Sequence, residues 1–130
     1  MKNAVIENIA PENHKVDGAY TPVKKINMGN CWLIFVYGVQ PQPNAPDDVA
    51  EQTRLVFEDI KNLLALAGAG MDDVVRAVIY LKDMNDFNVV SPIRAEYFKN
   101  SKPAATTIQA GAFTRPGSKI EIEVTAVLPK

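Results

Sequence analysis

The stretch DDVAEQTRLVFEDIKNLLALAG, residues 47–68, constrains the fold of this chain more than any other. Asp48 and Glu51 stand at capping-box spacing, and Val49, Thr53, Val56, Phe57, Ile60, Leu63 and Leu64 fall on one side of a 3.6-residue spiral. Gly68 can take the left-handed turn that closes a helix. The pattern predicts an amphipathic helix with one apolar face. Such a helix needs a single apolar layer to lie on.

The remaining segments read mostly as strands that supply that layer. AVIENI from Ala4 and PVKKINM from Pro22 are short strand patterns, separated by a loop, APENHKVDGAY, rich in Pro11, Asn13, Asp17 and Gly18. Gly29-Asn30 is a turn signal before CWLIFVYG, which is apolar almost throughout and so predicts a strand buried on both faces. QPQPNAP is a loop, because Pro41, Pro43 and Pro46 have no amide to give a sheet. DDVVRAVIYLKD predicts a fourth strand. MNDFNVVSPIRAEYFKN predicts a shorter helix whose regular part starts at Ser91 as cap with Pro92 in the first turn. SKPAATTIQAGAF supplies a strand of small residues, TRPGS a turn, and KIEIEVTAV a last strand alternating Ile120, Ile122, Val124, Ala126 with Glu121, Glu123, Thr125, Val127.

Two helices cannot cover both faces of about six strands, so the reading is an α+β layer with both helices on one face. Its second face is either polar and wet or covered by another subunit. At 130 residues and 47% hydrophobic the chain is long enough for one packed domain, 1–130. The net charge of -1 and the absence of a basic run argue against a nucleic-acid partner. Cys31 is the single cysteine, which forbids an intrachain disulfide and suits a reducing cytoplasm. His14 is the single histidine, which excludes a His-rich metal site. The opening MKNAVIENIAPENH lacks the apolar run of a signal peptide, and no window is long enough to cross a bilayer, so no membrane partner is expected.

Chemistry is sparse. Glu121 and Glu123 share one face of the last strand and form either a carboxylate pair or an ordinary solvent-facing alternation. His14 lies in a loop and reads as structural or incidental. Cys31, inside an apolar strand, reads as an inert thiol. No phosphate loop, nucleophile elbow, HExxH helix or CxxC pair is present, so no cofactor is expected.

GAYTPVKKINMGN, Gly38 at the end of the apolar strand, EQTR, VIYLKDMNDF, KPA and GSKIEIEVTAV together resemble the RidA/YjgF family, in its order and spacing over nearly the whole chain. The resemblance implies a chorismate-mutase-like fold assembled as a homotrimer, with small-molecule pockets between subunits. It also implies cofactor-free hydrolysis of reactive enamine or imine acids to ammonia and a 2-keto acid. Tyr20, Gly38 and Glu121 match family positions: Tyr20 lines the pocket mouth and Glu121 holds or orients the attacking water.

Other positions depart from the pattern. Ala105 stands where the imine-hydrolysing branch has an arginine that grips the substrate carboxylate. Thr107 stands for a frequent cysteine, Ser91 for a frequent asparagine, and Tyr37 and Val39 flank the glycine in place of a small hydroxyl residue and a glutamine. Loss of a bidentate arginine weakens carboxylate recognition by about one to two orders of magnitude. Arg115 and Arg94 are the candidate replacement cations, with Lys24 and Lys25 behind them. Two functions follow: a cofactor-free deaminase using Glu121, with Tyr20, Tyr37 and Thr107 shaping the site, or a trimer that binds a small, carboxylate-bearing ligand without turning it over. Ribonuclease activity, an old label for some members, gains nothing from one histidine and a slightly negative chain.

Overall fold

The computed structural model describes residues 5–14 and 18–130. Within these, the chain runs β1 (Ile6–Ile9), β2 (Val23–Asn27), β3 (Cys31–Val39), α1 (Val49–Leu66), β4 (Val74–Leu81), α2 (Phe87–Tyr97), β5 (Ala104–Gln109) and β6 (Ile120–Pro129). Ala4, taken above as the start of the first strand, and Asp17 in the loop lie outside the described residues. The strands form one mixed sheet in the order β1-β2-β3-β6-β4-β5. β4 and β5 run parallel, because α2 carries the chain back between them, and every other pair is antiparallel.

The core lies between the sheet and the helices. α1 buries the expected stripe, Val49, Thr53, Val56, Phe57, Ile60, Leu63 and Leu64, against Ile34 and Val36 of β3, Ile79 of β4 and Ile122 and Val124 of β6. Asp48 caps α1 by accepting the Glu51 amide at 2.9 Å, and Gly68 follows its end at φ 82°. Gln52, also buried, donates from Nε2 to Pro46 O and Gly117 O and accepts the Lys119 amide, tying α1 to the turn before β6.

Two sequence expectations need correction. Within the single chain Cys31–Val39 is buried on one face only: Ile34 and Val36 are enclosed, whereas Phe35 between them is 44% exposed. Its near-continuous apolar character arises because the face away from the helices is itself partly apolar, and no other element of the same chain among the described residues covers it. The second helix begins at Phe87, not Ser91. A single 3-10 turn at Met84–Asp86, capped where Asp83 Oδ1 accepts the Asn85 amide at 2.9 Å, leads straight into it. Pro92 therefore sits inside α2, and burial of Val90 and Ile93 holds that turn in place although proline gives no amide to its ladder. Among the described residues no helix is long and apolar enough to cross a membrane.

Candidate functional site

A break in the β3–β6 ladder builds the centre of the site. Between the pairs Val36–Val124 and Val39–Ile122, the residues Tyr37 and Gly38 stand opposite the single residue Glu123. This is a β-bulge, which bends the strand and re-aims the side chains beside it. At Gly38 the backbone is bare, and the Glu121 side chain from β6 lies directly over it. A Cβ on Gly38 would sit 2.8 Å from Glu121 Cδ. Burial pushes the Glu121 carboxyl above its ordinary value, the Gln40 side chain pulls it partly back, and the negative charge of Glu123 adds a smaller upward push.

Tyr37 and Gly38 open onto a cleft of about 720 Å³, with Tyr20, Gln40, Asp59 and Arg115 among its walls. The Tyr20 and Tyr37 rings stack at 5.9 Å with 19° between planes, and His14 packs edge-on to Tyr20 at 5.7 Å. Burial raises the Tyr37 phenol above its usual range, with Arg115 opposing. Gln40 organises the rim: its Nε2 donates to Thr114 Oγ1 at 2.7 Å, and its Oε1 accepts the Arg115 amide at 3.1 Å and the Ser118 hydroxyl at 3.3 Å. The Arg115 guanidinium reaches this cleft but donates to Pro41 O at 2.8 Å and Gln40 O at 3.4 Å. Glu121 is not itself in the wall of this cleft but lies against Gly38, which is.

A second, more open cleft of about 540 Å³ lies where β5 meets α2, lined by Met84, Asn85, Phe87, Asn88, Arg94 and Thr107. Thr107 pairs with Ile79 and so faces the helices. The Arg94 Nη2 donates to Ser91 Oγ at 3.4 Å, which brings the Ser91 hydroxyl beside the same cleft. Ala105, two residues before Thr107 and paired with Ala77, points to the same side of the sheet, is exposed and lines neither cleft.

The sequence-derived residues therefore fall into two groups: Tyr20, Tyr37, Gly38 and Arg115 with Glu121 behind them, and Thr107 with Ser91 joined through Arg94. Glu123 is not free to pair with Glu121 as a second acid, because the Tyr80 hydroxyl donates to it at 2.5 Å and that bond raises the Tyr80 phenol. Gln40 and Asp59 in the first cleft and Phe87 and Asn88 in the second carry no sequence signal of their own. Gln40 sits in a proline-rich loop and the others on helices, and none belongs to a motif.

A single six-stranded mixed sheet with two helices on one face and a bulged inner strand defines the chorismate-mutase-like α+β class. The family model described as endoribonuclease L-PSP matches residues 13–128, and the chain belongs to this family, also called RidA/YjgF. A RutC family protein of Pyrococcus horikoshii is 36% identical over 100% of this chain and 99% of its own. The 3-aminoacrylate deaminase RutC of Acinetobacter baylyi is 34% identical over 79% of this chain and 82% of its own. The crystal structure of the YjgF gene product of E. coli superposes with a TM-score of 0.77 at 29% identity, covering 93% of this chain and 98% of that one.

Proposed function

We propose that residues 1–130 form a single RidA-like domain that works as a cytoplasmic homotrimer and hydrolyses a small enamine or imine acid without a cofactor. The observation that carries this reading is Glu121, a carboxyl with an upward-shifted pKa held against a bare glycine backbone beside a cleft. The deaminase name of one relative supports the reaction class, and the uncovered apolar sheet face supports the assembly.

In this reading the enamine first takes a proton at carbon and gives one up from nitrogen, which makes the imine. Water then adds to the C=N carbon while the Glu121 carboxylate accepts one of its protons and passes it to nitrogen, giving a carbinolamine. Glu121 next takes the hydroxyl proton and hands it to nitrogen as the C–N bond breaks and C=O forms, so ammonia leaves a keto acid or, from a 3-amino substrate, an aldehyde acid. A raised pKa suits a group that must both take and give a proton near neutrality.

The test is ammonia release from freshly generated 2-aminoacrylate, from 3-aminoacrylate and from 2-aminomuconate. The wild type is expected to exceed buffer on at least one of them, and Glu121→Gln to lower that rate by about 100-fold or more. Equal rates for wild type, variant and buffer on all of them sink the reading. A second reading, a trimer that binds its ligand without turning it over, draws on Ala105 and on the engagement of Arg115 with backbone carbonyls. Retained ligand binding with no turnover would favour it.

A further inference from the structure

We infer that Arg94 on α2 supplies the carboxylate-binding cation of this protein, so that the second cleft is the anion end of its ligand site. This rests on the reading that the chain works as a trimer on a small acid: Thr107 faces the helices whereas Glu121, opposite Tyr80, faces the other way, so Arg94 and Glu121 would serve one ligand only across a boundary between subunits. Among the arginines, Arg54 is paired with Glu96 at 3.0 Å on the outer surface of the helices, and Arg76 lines neither cleft. Arg115 donates to two loop carbonyls, which makes it a clamp on the Gln40–Pro41 segment.

Arg94 differs from all of these. It is half-buried in the wall of a cleft, and among the described residues no carboxylate forms an ion pair with it. Among the described residues its side chain makes one hydrogen bond, the long contact to Ser91 Oγ, and its Cζ lies 5.6 Å from the centroid of the Phe87 ring. A guanidinium resting on an aromatic face keeps its planar fork oriented with donors to spare.

The surroundings fit a carboxylate. The Thr107 hydroxyl and the Asn88 side-chain amide share the cleft with Arg94 as further polar groups, while Phe87 and Met84 offer an apolar wall to a short carbon chain. Among the described residues no acid lines this cleft to repel an anion. Ala105 lies two residues before Thr107 on the same side of β5, so a long cationic side chain built at 105 could reach toward the cleft that Arg94 lines. The ligand class is a small monocarboxylate with a short apolar or unsaturated body.

The probe is 2-oxobutanoate, with 2-oxobutanamide as its uncharged counterpart, titrated into full-length 15N-labelled protein. The acid is expected to shift the Arg94 Nε–H and Thr107 amide resonances, and the amide to bind far more weakly. Arg94→Gln is expected to weaken acid binding by about tenfold or more. Arg94→Lys, which keeps the charge and guards against loss of fold, should fall between the two, and Arg94→Gln combined with Ala105→Arg should recover most of the affinity. Arg54→Gln should change nothing.

Unchanged binding in Arg94→Gln, equal binding of acid and amide, or no shift in the wild type overturns the inference. Ammonia release that is indifferent to Arg94→Gln likewise overturns it, while leaving the deaminase reading in place. Acid bound at Arg94 with no ammonia from any substrate upholds it and sinks that reading instead.

Discussion

At Gly38 the methyl group of an alanine would strike the far end of the Glu121 side chain, not a packed backbone. A flexible carboxylate can swing aside, so Gly38→Ala is expected to unfold within about 1 kcal/mol of wild type while losing the activity that depends on Glu121. Denaturant melts with ammonia assays on one preparation check this; a large loss of stability with activity intact would contradict it. Glu121 itself carries a sign that can be worked out. Its folded pKa lies above the ordinary 4.5, so the fold favours the protonated form. That contribution to stability is complete below the unfolded value and is lost as pH rises through the folded one. Glu121→Gln cannot ionise, so its melting temperature should exceed wild type at neutral pH, with the gap closing in acid. Activity of the wild type should run the other way, falling as pH drops through the same raised pKa. Alternation along KIEIEVTAV told which face Glu121 occupies but not whether that face mattered. Its contact with Gly38 depends on a bulge between strands eighty residues apart, which no local pattern encodes.

Among the elements, α1 was fully legible because its cap, stripe and exit are local features that all agree. α2 was legible as a helix but not in its start, since Ser91-Pro92 imitates a cap followed by a first-turn proline. The stronger signal was Asp83, whose carboxylate begins a 3-10 turn that feeds the helix four residues earlier. Pro92 consequently costs α2 one backbone hydrogen bond in its middle. Pro92→Ala is expected to restore that bond and stabilise the protein by about 1–2 kcal/mol, read from the shift in denaturant midpoint at unchanged slope. A destabilised variant would show that the ring itself is packed. β3 differs again: a run of apolar residues reports that both faces are apolar, and the chain by itself covers one of them.

For the whole molecule, the count of two helices against six strands gave the layer and left one sheet face open, as the structure has it. Phe35 at 44% and Ile108 at 45% exposure lie on the outer surface of this fold. A homotrimer that buries this face makes Phe35→Glu strongly disruptive, because a charge would be sealed into a contact with no partner. Native mass measurement should give three copies for the wild type and a shift to monomer for the variant; a monomeric wild type at micromolar concentration would count against the assembly. The cleft residues were less legible than the layer, because Gln40, Asp59 and Phe87 owe their roles to how loops and helices converge.

The position of β6 has a further consequence. It is the last of the six strands in chain order, yet it lies between β3 and β4. Until Ile120–Pro129 emerges from the ribosome, the nascent chain holds two separate pieces, β1-β2-β3 and β4-β5, each with an unpaired inner edge and apolar side chains awaiting a partner. Closing the sheet then joins residues as distant as Cys31 and Pro129 in one late step. Long-range pairing of this kind is slow and aggregation-exposed. Variants that weaken β6 should therefore fail during synthesis, as insoluble chains, before they fail as folded proteins that melt early.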